Sequence, residues 1–119
     1  MADLRVLDAD AARAVEDVCE AIVPGSARVR PVVYVDALLA RMDDAQREAA
    51  LAAFATVAGD VEAGAGTPDF LMVRALAIEA FYSDFVAPGV DVEGAWAEID
   101  FNSPLATRLV KDWSFLGIA

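Results

Sequence analysis

The longest apolar run of the chain reads TPDFLMVRALAIEAFYSDF and covers residues 67–85. Its threonine is a good helix N-cap, and the proline after it suits the first helical position, where a missing N–H costs nothing. The interior of the run carries only two charged residues, Arg74 and Glu79. A helix that is apolar nearly all round is either buried on most sides or embedded in a membrane, and this one is shorter than the ~20 residues that a bilayer span takes. The pattern therefore predicts a central apolar core helix over about residues 68–83.

Three further helices are predicted ahead of this run, because apolar residues recur there at helical spacing. Asp8 or Asp10 can cap the first of them, which extends to about Ile22, and Asp43 or Asp44 can cap the third. The expected spans are residues 9–22, 32–42 and 45–61.

Each of these three helices has one apolar stripe that we expect to face the core. Cys19 lies on the first stripe, so we interpret it as a small packed hydrophobe and not as a reactive thiol. The stripes are, in chain order, Val15, Val18, Cys19 and Ile22; Val35, Leu38, Leu39 and Met42; and Leu51, Phe54, Ala55, Ala58 and Val61.

The pattern changes after Phe85. Residues 86–119 contain scattered prolines and glycines, and they favour only short helical turns, around residues 93–99 and 104–111. Tryptophan is enriched at interaction hot spots and also seals the cores of small domains, so both roles stay open for each tryptophan here. The aromatic residues of this segment that stand far apart are Trp96, Phe101, Trp113 and Phe115.

No stretch of useful length alternates apolar and polar residues with the period of a strand, so the predicted fold class is all-α. We expect a single helical domain over residues 1–119, built as a small helical bundle around the central apolar helix. Residues 1–8 are expected to form a flexible arm whose apolar side chains fold back onto the core, and residues 9–85 the helical core. Residues 86–119 are expected to form an irregular aromatic-rich tail that wraps over this core.

The composition favours a binding partner, because a small domain with a large apolar fraction has difficulty in burying all of its apolar surface alone. Apolar residues make up 58% of the 119 residues, more than the ~45–50% that is usual in soluble domains. The net charge is −11, from 20 acidic and 9 basic residues, and this disfavours nucleic acid because neutralising phosphates needs clustered lysine and arginine. The acidity fits either a solvated surface or a basic partner surface.

Residue types that carry catalysis or hold cofactors are scarce. The chain has no histidine and one cysteine, which removes Ser-His and Cys-His pairs, the usual zinc and iron–sulfur ligation, and any internal disulfide. No glycine-rich phosphate loop occurs, and the acidic set Asp91, Glu93, Glu98 and Asp100 matches no calcium-binding loop. We expect no catalytic residue, cofactor or metal in this chain, and a cytoplasmic location because the N-terminus lacks a signal-peptide pattern.

Two pairs of charged residues have roles that the sequence leaves open. Arg74 and Glu79 are five residues apart and project about 140° from one another on a helix, so they do not pair with each other. Each can reach water at the helix margin, pair with another helix, or make a polar contact across a subunit interface. Arg28 and Arg30 form a positive spot between the first two helices, where they are either solvated or in contact with a phosphate or carboxylate.

Three pieces of the sequence together resemble a known family. They are IVPGS at residues 22–26 followed by YVDALL at 34–39, the run RALAIEAFYSDF at 74–85, and the spaced set of Gly94, Trp96, Ile99 and Phe101. Over residues 14–101 the chain is similar to the gluconate 2-dehydrogenase subunit 3 family, the small subunits of flavin-dependent GMC-type sugar and alcohol dehydrogenases. In that family a Glu-(Gly/Ala)-(Phe/Tyr)-(Phe/Tyr)-Ser-Asp run leads to a glycine-containing turn and a tryptophan, which here are residues 79–84, Gly94 and Trp96.

The resemblance implies a non-catalytic accessory subunit that binds and stabilises a large GMC-type flavoprotein, as a heterodimer. Catalysis and the FAD are then expected in the large subunit and not in this chain. The contact residues that we predict for the partner interface are Tyr82, Asp84, Trp96, Trp113 and Phe115.

Two other hypotheses stay open at this point. One is a self-contained helical protein-binding or scaffolding module, as a monomer or a homodimer, for which a stable lone chain would speak. The other is an enzyme that uses its own carboxylates, for which loss of turnover on mutation of Glu79 or Asp84 would speak.

Overall fold

The computed structural model describes residues 4–62, 66–98 and 113–118. Over these residues the chain is all-α, as predicted, and contains no strand. The predicted helical turn at 104–111, and with it Asp100 and Phe101, lies outside the described residues. Short 3₁₀ turns occupy Ser26–Val29 and Ser114–Leu116. The α-helices are α1 (Ala9–Ile22), α2 (Pro31–Arg41), α3 (Asp44–Gly59), α4 (Pro68–Tyr82) and α5 (Ala95–Glu98).

Side-chain caps fix the starts of three helices. The Asp8 carboxylate accepts the N–H of the third residue after it, and Thr67 Oγ1 does the same at the start of α4. Asp43 and Gln46 form a reciprocal capping box at α3. The structure therefore selects Asp8 over Asp10 and Asp43 over Asp44 as N-caps, and it confirms Thr67.

The helix α2 is the most enclosed element of the described chain. Every residue of Pro31–Ala37 is buried, on all sides of the helix. It packs against α1, α3, α4 and the C-terminal 3₁₀ turn. The sequence showed one stripe on this helix, but its small β-branched residues allow neighbours to approach from every direction.

The predicted inner stripe of α3 is wrong in part. Ala55 and Ala58 are exposed, whereas Ala53 and Val57 are buried beside Phe54. Alanine occurs on all sides of this helix, so two neighbouring registers are almost equally apolar and the periodicity cannot separate them. The stripe of α1 is confirmed by the burial of Val15, Val18 and Cys19.

The helix α4 packs against α1, α2, α3 and α5, yet one side of it reaches solvent. Its fully buried residues are Val73, Ala77, Ala80 and Phe81. The opposite side consists of Leu71, Ala75, Ile78 and Tyr82, which we call the α4 face. Leu71 and Ala75 are exposed, Ile78 is half-buried, and Tyr82 is exposed at the C-terminal end.

A buried carboxylate on α2 holds the N-terminal segment against the bundle. Asp36 is 3% exposed and accepts the backbone N–H groups of Arg5, Val6 and Leu7 at 2.8, 2.9 and 3.0 Å. Leu7 is buried in the main core, in agreement with the prediction that apolar side chains of residues 1–8 fold back onto it. Three donors converge on one acid because backbone N–H groups that leave water need a partner.

Candidate partner-binding corner

The C-terminal end of α4 turns sharply at Asp84. This residue has a φ of 63°, in the left-handed region that few residues other than glycine adopt. It is 8% exposed, and its Oδ1 accepts the backbone N–H of Trp96 at 3.1 Å. Its carboxylate therefore ties the end of α4 to the start of α5 and lies inside the chain rather than on an open surface.

Gly94 occupies a place where only a hydrogen fits. A Cβ on this residue would lie 2.2 Å from Asp84 Oδ1 and 3.2 Å from the carbonyl oxygen of the same aspartate. The family-like pattern Ser-Asp, glycine and tryptophan is thus one physical unit, since the glycine leaves room for the carboxylate that binds the tryptophan backbone. We call Tyr82, Asp84, Gly94 and Trp96 the motif corner.

Replacing Gly94 with alanine should displace the Asp84 carboxylate. Overpacking of this kind costs about 1–3 kcal/mol of unfolding free energy, and Trp96 fluorescence should change because its backbone bond is lost. Gly59→Ala is the matched control, because nothing lies within 4 Å of the added Cβ at this helix end, and it should raise stability by up to about 1 kcal/mol. Denaturant melts of both variants measure these changes. Equal losses of stability in the two variants, or no loss for Gly94→Ala, would contradict the packing described here.

The aromatic residues of the motif corner are joined through the indole of Trp96. Its Nε1 donates to the carbonyl oxygen of Tyr82 at 3.2 Å. The Tyr82 ring meets Phe81 edge to face, with centroids 5.1 Å apart. Tyr82 is 50% exposed and Trp96 is half-buried, so the corner presents one aromatic side chain to solvent on a fixed backbone.

Arg28 supports the corner from the loop after α1. Its guanidinium lies over the Phe81 ring at 5.0 Å, and its Nε donates to the Glu93 carbonyl oxygen at 3.2 Å. Arg30 instead pairs with Glu16 at 3.1 Å. The sequence left open whether these arginines are solvated or contact a phosphate or carboxylate. For Arg30 the structure shows a carboxylate contact within the chain, with Glu16.

The other two predicted interface residues lie in the C-terminal segment. The Trp113 ring meets Phe85 and Tyr34 edge to face, at 5.4 and 6.1 Å. Phe115 is 54% exposed, and its carbonyl oxygen accepts a hydrogen bond from Arg41. Hydrogen bonds thus join Tyr82, Asp84 and Trp96 directly, Trp113 is half-buried against an aromatic cluster, and Phe115 stands apart from them.

The two charged residues in the interior of α4, Arg74 and Glu79, differ in what they contact. Tyr34 donates its hydroxyl to Glu79 Oε2 at 3.0 Å, and burial, together with this carboxylate, raises the pKa of Tyr34 to about 12. Glu79 therefore pairs with another helix. Arg74 is exposed and lines a groove of about 290 Å³ between the end of α1 and α4. Within the described part of the chain it makes no hydrogen bond or ion pair.

Elsewhere the described residues offer little chemistry. Burial, with Glu16 nearby, raises the pKa of Cys19 to about 12, which keeps this fully buried thiol protonated at neutral pH. The described part of the chain contains no cluster of acids and cysteine that could hold a metal ion; of the acidic set in the tail, Asp100 lies outside it. None of the described helices has the length and apolar character that crossing a membrane requires.

The sequence pattern pointed to the motif corner but not to what holds it. The sequence marked Arg28 as part of a positive spot but did not reveal its contact with Phe81, because a cation–π pair between distant segments leaves no local pattern. No protein family model, no curated protein and no solved structure matches this chain.

Proposed function

We propose that this chain is a non-catalytic accessory subunit that binds and stabilises a flavin-dependent GMC-type oxidoreductase. In this proposal the FAD and the catalytic residues belong to the large subunit, and the two chains form a heterodimer in the cytoplasm. The proposal includes a central place for α4, which packs against α1, α2, α3 and α5, and an aromatic-rich tail that wraps over the helical core. The proposal rests on the resemblance in residues 74–101.

One structural observation supports the proposal more than any other. The residues that carry the resemblance are bonded to one another, so that a buried aspartate and a glycine without room for a side chain fix the backbone around Trp96. This arrangement holds Tyr82 half-exposed at the surface. Rigid aromatic side chains with little entropy to lose are the usual anchors of protein interfaces.

Coexpression with a GMC-type flavoprotein from the same genome tests the proposal. We expect the two chains to elute together from a sizing column and the flavoprotein to lose solubility or flavin when this chain is left out. If both chains are soluble, active and separate, the proposal fails.

Replacing Trp96 with alanine should weaken this complex more than it unfolds the lone chain. The half-buried indole loses its bond to the Tyr82 carbonyl and its packing against the cluster around Phe81, at a cost of about 1–2 kcal/mol in folding. Loss of an interface anchor costs about 2–4 kcal/mol in binding. Co-purification yield and a melting curve measure the two effects. Trp96→Phe keeps an aromatic ring without the indole N–H and should bind better than the alanine variant, and a Trp96→Ala chain that simply unfolds contradicts the prediction.

A second candidate function is a self-contained helical protein-binding module. It is favoured by the α4 face, since an apolar helix surface open to water is typical of an interaction site. A cooperative melt of the lone chain, with no flavoprotein co-purifying from its own cells, would support this candidate over the first.

A further inference from the structure

The outward side of α4 is apolar at the positions where a solvated helix carries polar residues. Leu71 and Tyr82, at the two ends of the α4 face, are 56% and 50% exposed. The surface falls away into a groove on either side, one of about 410 Å³ toward α3 and one of about 290 Å³ toward the end of α1. The α4 face therefore forms a ridge that another helix can approach.

The spacing along this ridge is that of a coiled-coil seam. The four members of the α4 face follow one another at intervals of four, three and four residues, which are alternating d and a positions of a heptad. Arg74 immediately precedes the first a position and is therefore a g residue. Glu79 immediately follows the second d position and is an e residue.

The charges beside the seam indicate which helix packs against it and whether that helix runs parallel or antiparallel to α4. In a parallel pair of helices, a g residue faces the e residue five positions further along the partner, which here places Arg74 opposite Glu79 of the second copy, twice by symmetry. In an antiparallel pair, g faces g and e faces e, which brings like charges together. We propose that the lone chain forms a symmetric dimer in which two α4 helices pack in parallel through the α4 face.

The side chains needed for this pairing are available. Arg74 alone among the arginines that the structure describes makes no hydrogen bond or ion pair, while the others bind carbonyl oxygens or acids of their own chain. Glu79 is exposed and has a second carboxylate oxygen beyond the one that binds Tyr34. Because α4 is already folded against the bundle, dimerisation carries no entropic cost for ordering a short helix.

Analytical ultracentrifugation of the lone chain over a concentration series tests the dimer. We expect a monomer–dimer equilibrium for the wild type and a dissociation constant at least ~10-fold higher for Arg74→Glu and for Glu79→Lys, because each places like charges opposite one another twice. The double variant, Arg74→Glu with Glu79→Lys, should restore the dimer. Arg13→Glu, at an exposed arginine of α1, should leave it unchanged, and so should Tyr34→Phe, which removes the hydroxyl bond to Glu79 without changing a charge.

Cysteine cross-linking tests the direction. In a Cys19→Ala background, Leu71→Cys and Tyr82→Cys are tested separately under mild oxidation; the two sites are about 16 Å apart along the helix. In the parallel pair each cysteine faces its own copy and should form an intermolecular disulfide, whereas in an antiparallel pair neither should. A wild type that stays monomeric at every concentration, a charge swap that does not restore the dimer, or the absence of both disulfides would overturn this inference. The dimer and the flavoprotein proposal share Tyr82 but are tested on different samples, because coexpression with the flavoprotein decides the second one separately.

Discussion

Replacing Asp36 with alanine is expected to lower the free energy of unfolding by about 3 kcal/mol. The carboxylate is 3% exposed and accepts three consecutive backbone N–H groups, those of Arg5, Val6 and Leu7. Its loss leaves the buried N–H of Leu7 without an acceptor, while water can reach the other two in part. The N-terminal segment should then detach from α2, taking Leu7 out of the core.

Denaturant melts measure this loss, and hydrogen exchange at the Leu7 amide shows whether the segment has detached. Asp36→Asn keeps one acceptor oxygen and should lose about half as much stability. Asp17→Ala is the matched control, because Asp17 is exposed on α1 and surface changes stay within ~0.5 kcal/mol. Equal melts for Asp36→Ala and Asp17→Ala would show that the carboxylate does not hold the segment.

Leu116→Ala is the second large effect, with an expected loss of about 3 kcal/mol, within the range measured for buried leucines. Leu116 is 1% exposed and belongs to the main core cluster, although it lies close to the end of the chain. Its neighbour Phe115 is 54% exposed. The two side chains leave the same 3₁₀ turn in opposite environments, which makes them a matched pair.

Phe115→Ala should therefore change stability by no more than ~0.5 kcal/mol, even though the lost side chain is larger. The backbone carbonyls that accept bonds from Arg5 and Arg41 are kept in both variants. Thermal melts of the Leu116→Ala and Phe115→Ala variants measure the two losses of stability. A larger loss at Phe115 than at Leu116 would contradict the placement of this C-terminal turn on α2.

The helices could be predicted from the sequence because their signals are local. Asp8, Asp43 and Thr67 act within one turn of the backbone that they cap. The register of α3 could not be fixed in the same way, since alanines on several sides give Ala55 the same weight as Ala53. Burial there is decided by which neighbour packs closer, and that is a tertiary property.

The motif corner was predictable as a pattern but not as a mechanism. The sequence indicates Asp84 and Trp96 only through a resemblance. The structure shows that the aspartate accepts the backbone N–H of the tryptophan. Asp36 offered a weaker signal, as a lone acid inside the apolar run YVDALL. Its partners are backbone N–H groups, which every residue but proline has, so no sequence pattern identifies them.

Calorimetric titration of the purified chain into a GMC-type flavoprotein from the same genome tests most directly whether this protein works by presenting a surface to another one. The account predicts saturable binding at one small chain per large chain, and a flavoprotein melting temperature that rises with the concentration of the added chain. No heat of binding, with a flavoprotein that keeps its flavin and its activity alone, would contradict the account.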